Sequence, residues 1–251
     1  MSNHLYILTG ASRGMGLAVA RELLVPGHQL LCISRRTAPD LQTLATQTGV
    51  PLEQWTADLA DGAPVAARLR DWLSALPAHA VASATLINNA GVIPALVPLR
   101  DSEPTDLAHA LRVGLEAPMQ LCAAFLGATR GWQASRKVLN VSSGLGRRAM
   151  ASQAGYCAAK AGMDHFTRCL ALDEALVPNG AKVCSLAPGV IDTDMQVQLR
   201  SADATQFPDR GNFESLQTQG QLTSPRAAAQ RVLAYLARPD FGEQPVADVR
   251  G

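Results

Sequence analysis

"LYILTGASRGMG", residues 5–16, decides the fold. Its opening "LYILT" is an apolar run that reads as a buried strand, and glycines at 10, 14 and 16 follow at once. A strand that passes through a glycine-rich turn into a helix builds a phosphate site. Small residues let the backbone approach the phosphate, and the helix N-terminus faces its negative charge. The spacing is TGxxxGxG rather than GxGxxG, and a glycine-rich turn can also be merely structural. The rest of the chain has to choose between these readings.

Working outward, short apolar runs recur at 29–34, 84–89, 137–143 and 181–188, with a weaker one at 50–57. They alternate with helical segments near 14–25, 62–76, 104–130, 154–177 and 224–237. Near-continuous apolar character is what parallel strands covered on both faces require. The rhythm predicts an α/β fold, a doubly wound parallel β-sheet of Rossmann type between two helical layers, with residues 1–251 forming one domain. Residues 192–223 break the rhythm, being rich in Asp, Gln, Thr and Gly with weak periodicity. They read as a long loop, and because ligands bind beyond the carboxyl ends of the strands in such sheets, as a substrate lid.

Bulk composition narrows the function. With 251 residues, 47% hydrophobic and 17% charged, the chain suits one large core better than two small ones. A net charge of +1 without a dense Lys/Arg run gives no sign of nucleic acid or an anionic membrane as partner. The N-terminus enters a strand pattern without a signal-peptide core, and no 18-residue apolar stretch exists, so a cytoplasmic protein with no membrane span is expected. The five cysteines (32, 122, 157, 169 and 184) are scattered and lack CxxC spacing, and the five histidines are equally dispersed. Reduced thiols and no metal site are expected.

Two short stretches carry chemistry. The second strand ends "CISRR", which places Ser34, Arg35 and Arg36 where an NAD-binding chain would carry a carboxylate about 20 residues past the loop. Arg13 in the glycine turn adds another guanidinium. Arginine pairs well with phosphate, so NADP(H), with its 2′-phosphate, is favoured over the reading in which these are ordinary solvated residues. In "GYCAAK" (155–160), Tyr156 and Lys160 stand one helical turn apart on one face. An ammonium beside a phenol lowers the phenol's pKa and makes it a usable acid/base near neutral pH, although such a pair also arises by chance.

Taken in order, "TGASRGMG" (9–16), "ADL" (57–59), "NNAG" (88–91), "NVSS" (140–143), "YCAAK" (156–160) and "APGVIDT" (187–193) resemble the short-chain dehydrogenase/reductase family. Within it, the segments around them look like the sepiapterin reductases and bacterial benzil reductases, which reduce a ketone flanked by a second carbonyl with NADPH. The resemblance implies that Tyr156 protonates the carbonyl oxygen as hydride arrives. It implies that Lys160 depresses the tyrosine's pKa and holds the nicotinamide ribose, and that Ser143 hydrogen-bonds the oxyanion. Ser142 competes on position, and the family's usual Ser–Tyr interval selects Ser143; either could instead cap the turn that follows. The same resemblance assigns the cofactor to Gly10, Ser12, Arg13, Gly14, Met15 and Gly16, and to Ser34, Arg35 and Arg36. Asp58 and Leu59 would meet the adenine, and Asn88, Ala90 and Gly91 would line the cofactor, although an asparagine there could simply close a turn. Pro188, Gly189, Ile191 and Thr193 would shape the nicotinamide pocket.

The chain also departs from the family. Where members usually carry an asparagine that kinks the long central helix and holds a relay water, it has Gly114. Glycine can permit the kink but offers no amide, and the expectation is that water fills the gap. Asp248 stands where sepiapterin reductases place a substrate-anchoring aspartate, although an acid that blunts an edge strand is the plainer reading. Met195, Leu199, Phe207 and Phe213 are candidate apolar substrate contacts in the lid. The expected partners are a small carbonyl substrate and, by family analogy, a second copy in a homodimer or homotetramer built on helices 104–130 and 154–177. Alternatives are another NADPH carbonyl reductase, such as a 3-oxoacyl reductase, and a non-catalytic NADP(H)-binding sensor.

Overall fold

A computed structural model describes residues 3–250. Seven strands form one parallel sheet: β1 (Asn3–Thr9), β2 (His28–Ser34), β3 (Leu52–Thr56), β4 (Val81–Asn88), β5 (Ser135–Val141), β6 (Lys182–Ala187) and β7 (Val246–Asp248). Their order is β3-β2-β1-β4-β5-β6-β7. The chain runs outward from β1 to one edge and returns to build the other half from β4, so the order reverses between β1 and β4. At that switch point the connections leave to opposite faces and a crevice opens beyond the carboxyl ends. The pairing places Thr9 beside Ile33, Leu8 beside Ile87 and Asn88 beside Asn140, so the strands end level and their following loops share one rim.

Both faces are covered, as the apolar runs require. On one face α1 (Gly14–Leu23), α2 (Pro39–Thr48) and α9 (Pro225–Ala237) bury Val19, Leu23, Leu41, Val232 and Leu236 against the sheet. On the other, α3 (Gly62–Ala75), α5 (Ala117–Ala128) and α6 (Ala154–Ala175) contribute residues such as Leu69, Leu73, Leu121, Phe125 and Leu170, and α4 (Pro104–Leu111) lies against α6. Each large apolar side chain so buried stabilises the fold by about 1.5–3 kcal/mol.

Three features differ from the sequence reading. First, α2 stands where the apolar rhythm marks no helix, because only Leu41 and Ala45 are buried on an otherwise polar helix. Its boundaries are nevertheless written in the chain: Pro39 opens it and Gly49, at φ 69°, closes it in the left-handed region. Second, residues 192–223 are not a loop. They hold α7 (Asp194–Arg200) and α8 (Arg210–Thr218), gathered on a small apolar cluster of Leu96, Leu199, Phe207 and Phe213. Third, the long central helix is interrupted by a π-turn at Arg112–Glu116. Gly114 lies buried in that turn, where an added Cβ would stand 3.1 Å from the Cβ of Ala159. The backbone turn widens at this place, and glycine lets it pass close to α6. Among the described residues, no helix is long and apolar enough to cross a membrane.

Candidate active site

The crevice at the switch point is a cavity of ≈ 660 Å³. Its floor is the glycine turn. Gly10 and Gly14 adopt φ 71° and 55°, which side chains resist, and a Cβ on Gly16 would fall 2.1 Å from the Gly10 carbonyl oxygen. The turn is pinned from both sides. The Ala11 N–H donates to Ser34 Oγ at 2.8 Å, and Asn89 Nδ2 donates to the carbonyls of Thr9 and Gly10 at 3.0 and 3.2 Å. The backbone N–H groups of Asn89 and Ala90 both reach Thr9 Oγ1. The result is a cradle with no Cβ to obstruct a pyrophosphate at the start of α1, and the residues present fit a dinucleotide. Ser12, Arg13, Met15, Ala90, Gly91, Pro188, Gly189, Ile191 and Thr193 all lie on the cavity wall.

The arginines do not act as a block. Arg35 lies on the cavity wall, whereas Arg36 is exposed and off it. Arg13 is engaged by Asp194 at 2.5 Å, which ties the glycine turn to the start of α7. Asp58 and Leu59 line a smaller adjoining recess shared with Ser34, Arg35, Val92 and His109. The Asp58 carboxylate also accepts the Ala60 N–H at 2.9 Å.

Asn88 corrects the sequence reading. It is buried behind the cavity, donating to Asn140 Oδ1 at 2.9 Å, and Asn140 in turn donates to Thr167 Oγ1 at 2.9 Å. A side chain at the carboxyl end of a strand points to one face or the other, and the register of β4 sends Asn88 into the layer of α5 and α6. Asn89 is the asparagine on the wall. Asp248 is also off the wall, because it lies on edge strand β7 and holds Arg250 through two contacts of 2.8 and 2.7 Å. Arg250, not singled out from sequence, is the cavity residue. Met195, Leu199 and Phe213 face the cavity, but Phe207 is fully buried beneath it, stacked on Phe213 at 5.7 Å.

Ser143, Tyr156 and Lys160 meet on one wall. Strand β5 delivers both serines, and the structure separates them. The Ser142 hydroxyl donates to Asp164 at 2.6 Å, while Ser143 Oγ accepts the Leu145 N–H at 3.2 Å. Lys160 is buried and donates to the Val141 carbonyl at 2.7 Å. Its Nζ stands 5.8 Å from the Tyr156 ring centroid.

Burial, not the lysine, sets the tyrosine's proton affinity. Desolvation pushes the Tyr156 phenol up to about 12, against a smaller lowering by Ser143. This reverses the expected depression of the phenol. Burial likewise pushes the Lys160 ammonium down to about 8, against Asp164, which raises it. At neutral pH the phenol therefore carries its proton and the amine its charge, the forms needed to donate a proton and to hold an anion. Residues that sequence reasoning missed include Asp164, two buried amides on the wall, Gln153 and Gln196, and Arg148. No motif marks any of them; only the fold brings the glutamines and Arg148 to the cavity and buries Asp164 behind it.

The family model for short chain dehydrogenases matches residues 4–204. The chain is 33% identical over 235 residues to a benzil reductase ((S)-benzoin forming) of Bacillus cereus, covering 94% of each chain. It is 33% identical over 244 residues to a sepiapterin reductase of Xenopus tropicalis, covering 92% of this chain and 90% of that one. The crystal structure of the KRED1-Pglu enzyme shares the fold, with a TM-score of 0.81 at 24% identity over 96% of this chain and 99% of that one.

Proposed function

Because the chain belongs to the short-chain dehydrogenase/reductase family, we propose that it reduces a ketone or vicinal dicarbonyl to the alcohol with NADPH, through Ser143, Tyr156 and Lys160. The observation that carries this reading is the convergence of those three side chains on the wall of the cavity that runs along the glycine turn. The glycine turn, Arg35 and Lys160 would hold NADPH, which would supply the hydride for the carbonyl carbon. Tyr156 gives its phenolic proton to the oxygen, and Ser143 donates a hydrogen bond to that oxygen as charge develops. Lys160 holds the nicotinamide ribose and supplies positive charge beside the phenol that has given up its proton. The substrate class follows the benzil reductase named above, since benzil is a vicinal diketone and benzoin its hydroxyketone.

Arg35 is the residue that favours the 2′-phosphate, supported by its place on the wall at the end of β2, where no carboxylate stands. A charge-assisted hydrogen bond of this kind contributes about 1.5–3 kcal/mol, so Arg35→Ala is expected to lower kcat/KM for NADPH by about 10–100-fold. The value for NADH should hardly move. Equal losses with both cofactors would remove Arg35 from this role.

Protonation of Lys160 gives a pH dependence. The amine is charged below a pKa of about 8 and neutral above it, whereas Tyr156 keeps its proton to about 12. The kcat/KM for NADPH, which reports groups of the free enzyme, is expected to be flat from mildly acidic to neutral pH and to fall on a single basic limb centred near 8. A profile that stays level through that range would show that the charge of Lys160 is dispensable.

Helices α7 and α8 serve as the substrate lid, supported by Met195, Leu199 and Phe213 on the cavity wall. The protein is cytoplasmic and assembles as a homodimer or homotetramer through α4, α5 and α6. Apolar residues left on the outer faces of those helices support the assembly, among them Met119 at 44% exposure and Leu172 at 71%. The direct test follows nicotinamide absorbance with NADPH and then NADH, offering benzil, an aryl dione and sepiapterin. Oxidation of NADPH by any of these substrates meets the expectation; NADPH that binds but is never consumed across a wide ketone set would move the sensor alternative to the front.

A further inference from the structure

Ser143 and Tyr156 account for one oxygen atom of the substrate, and the cavity is equipped for a second. Gln153 is 1% exposed and forms part of the cavity wall, yet both its Nε2 and its Oε1 lack any hydrogen-bond partner. On the facing element, Gln196 of α7 is 7% exposed, also on the wall, and its Oε1 is unpartnered. Buried amides left unpaired are rare because each open donor or acceptor costs stability, and where they persist a ligand commonly completes them. The Gln153 backbone is fixed, since its carbonyl accepts the Cys157 N–H at 2.8 Å at the start of α6. The open groups therefore belong to a side chain whose root cannot drift.

Position gives the orphan amide a purpose. Gln153 is the N-cap of α6, three residues before Tyr156, and both side chains line the same cavity. A ligand group held by Gln153 therefore shares that cavity with the atom that takes the proton of Tyr156. Much of the remaining wall is apolar: Ile93, Leu145, Met195, Leu199 and Phe213. A simple ketone would use Ser143 and Tyr156 and leave both glutamines unpaired.

We propose that Gln153 is a specificity-determining residue, donating from Nε2 to an oxygen on the carbon next to the reacting carbonyl, and that the preferred substrates are 1,2-dioxygenated: vicinal dicarbonyls. After reduction, a hydroxyl on the product can donate back to Oε1 of Gln153 or Gln196, so the same two amides hold substrate and product. This inference rests on the reductase reading above.

The test uses a matched pair, benzil and deoxybenzoin, which share both phenyl rings and differ by the second carbonyl oxygen. Gln153→Met keeps the length of the side chain and removes its hydrogen bonds. Leaving one substrate oxygen unpaired is expected to lower the ratio of kcat/KM for benzil to that for deoxybenzoin by about tenfold relative to the unaltered protein. NADPH affinity, followed by its fluorescence, reports that the fold and cofactor site are intact. If the Met variant does not fold, Gln153→Asn, which withdraws the amide by one methylene, takes its place with the same expected fall. An unchanged ratio, with both substrates slowed alike, would overturn the inference and leave the reductase reading standing. If the unaltered protein turns over neither ketone, calorimetry on the NADP⁺ complex decides the role of Gln153. A tenfold weaker affinity for benzil in the variant, without a matching loss for deoxybenzoin, upholds it; equal affinities, or no binding of benzil, overturn it.

Discussion

Tyr156→Phe is expected to lower kcat for NADPH-dependent carbonyl reduction by about 10²–10⁴-fold, the usual worth of a positioned general acid. The phenol is nearly buried and keeps its proton to about 12, so at neutral pH essentially every molecule holds the acid form, and phenylalanine removes only that group. Two neighbouring groups are already engaged. Ser142 has its hydroxyl committed to Asp164, and Lys160 has one donor committed to Val141. Because the ring still packs in α6, NADPH should bind the variant as well as the parent. Turnover within tenfold of the parent would dismiss Tyr156 as the proton donor. A loss of NADPH binding in step with activity would assign it a structural role instead.

The second large effect lies one turn beyond Lys160. Asp164 is 2% exposed and accepts from Ser142 at 2.6 Å, Ser185 at 2.7 Å and Arg147 Nε at 3.2 Å. Arg147 also reaches the Ala247 carbonyl at 2.7 Å, so this one carboxylate joins β5, β6, α6 and the edge strand β7. Asp164→Ala leaves two hydroxyls and a guanidinium without their acceptor. Breaking a buried charged network from one side costs about 3–5 kcal/mol, which for a chain of this size corresponds to a fall in Tm of about 10 °C. There is a second readout. Asp164 raises the pKa of Lys160, so its removal should move the basic limb of the pH profile to lower pH. A melting temperature within about 2 °C of the parent would mean that the network contributes little, since a change that size is worth about 1 kcal/mol or less.

The strands were legible because burial on both faces leaves one solution for a run such as "QLLCIS": consecutive apolar residues, since no position of the strand meets water. Helices with an apolar stripe were legible for the same reason. Elements that pay little in burial were not. Helix α2 buries only Leu41 and Ala45 in the core, and α7 and α8 fold onto a satellite cluster, so their sequences look like loops. The glycine turn, Ser143, Tyr156 and Lys160 were visible because backbone geometry and proton chemistry restrict which residues serve. Which asparagine of "NNAG" faces the cavity depends on strand register, which composition does not encode, and Asn89 rather than Asn88 holds the place. The proton affinity of Tyr156 depends on how much protein surrounds it, and pair spacing along a helix says nothing of that.

The π-turn at Arg112–Glu116 carries a consequence for lineage and for engineering. Such a turn accommodates one residue more than a regular helix of the same rise. Removing a single position there would let the helix close into regular pairing while both flanks keep their faces, because the wide turn has already absorbed the extra residue. His109 would stay at the recess beside Asp58, and the outward stripe of α4 would stay in line with that of α5. Elsewhere in α4 or α5 the same deletion would turn everything on one side by about 100°. One-residue deletions within 112–116 should therefore yield folded protein more often than deletions in the regular turns on either side.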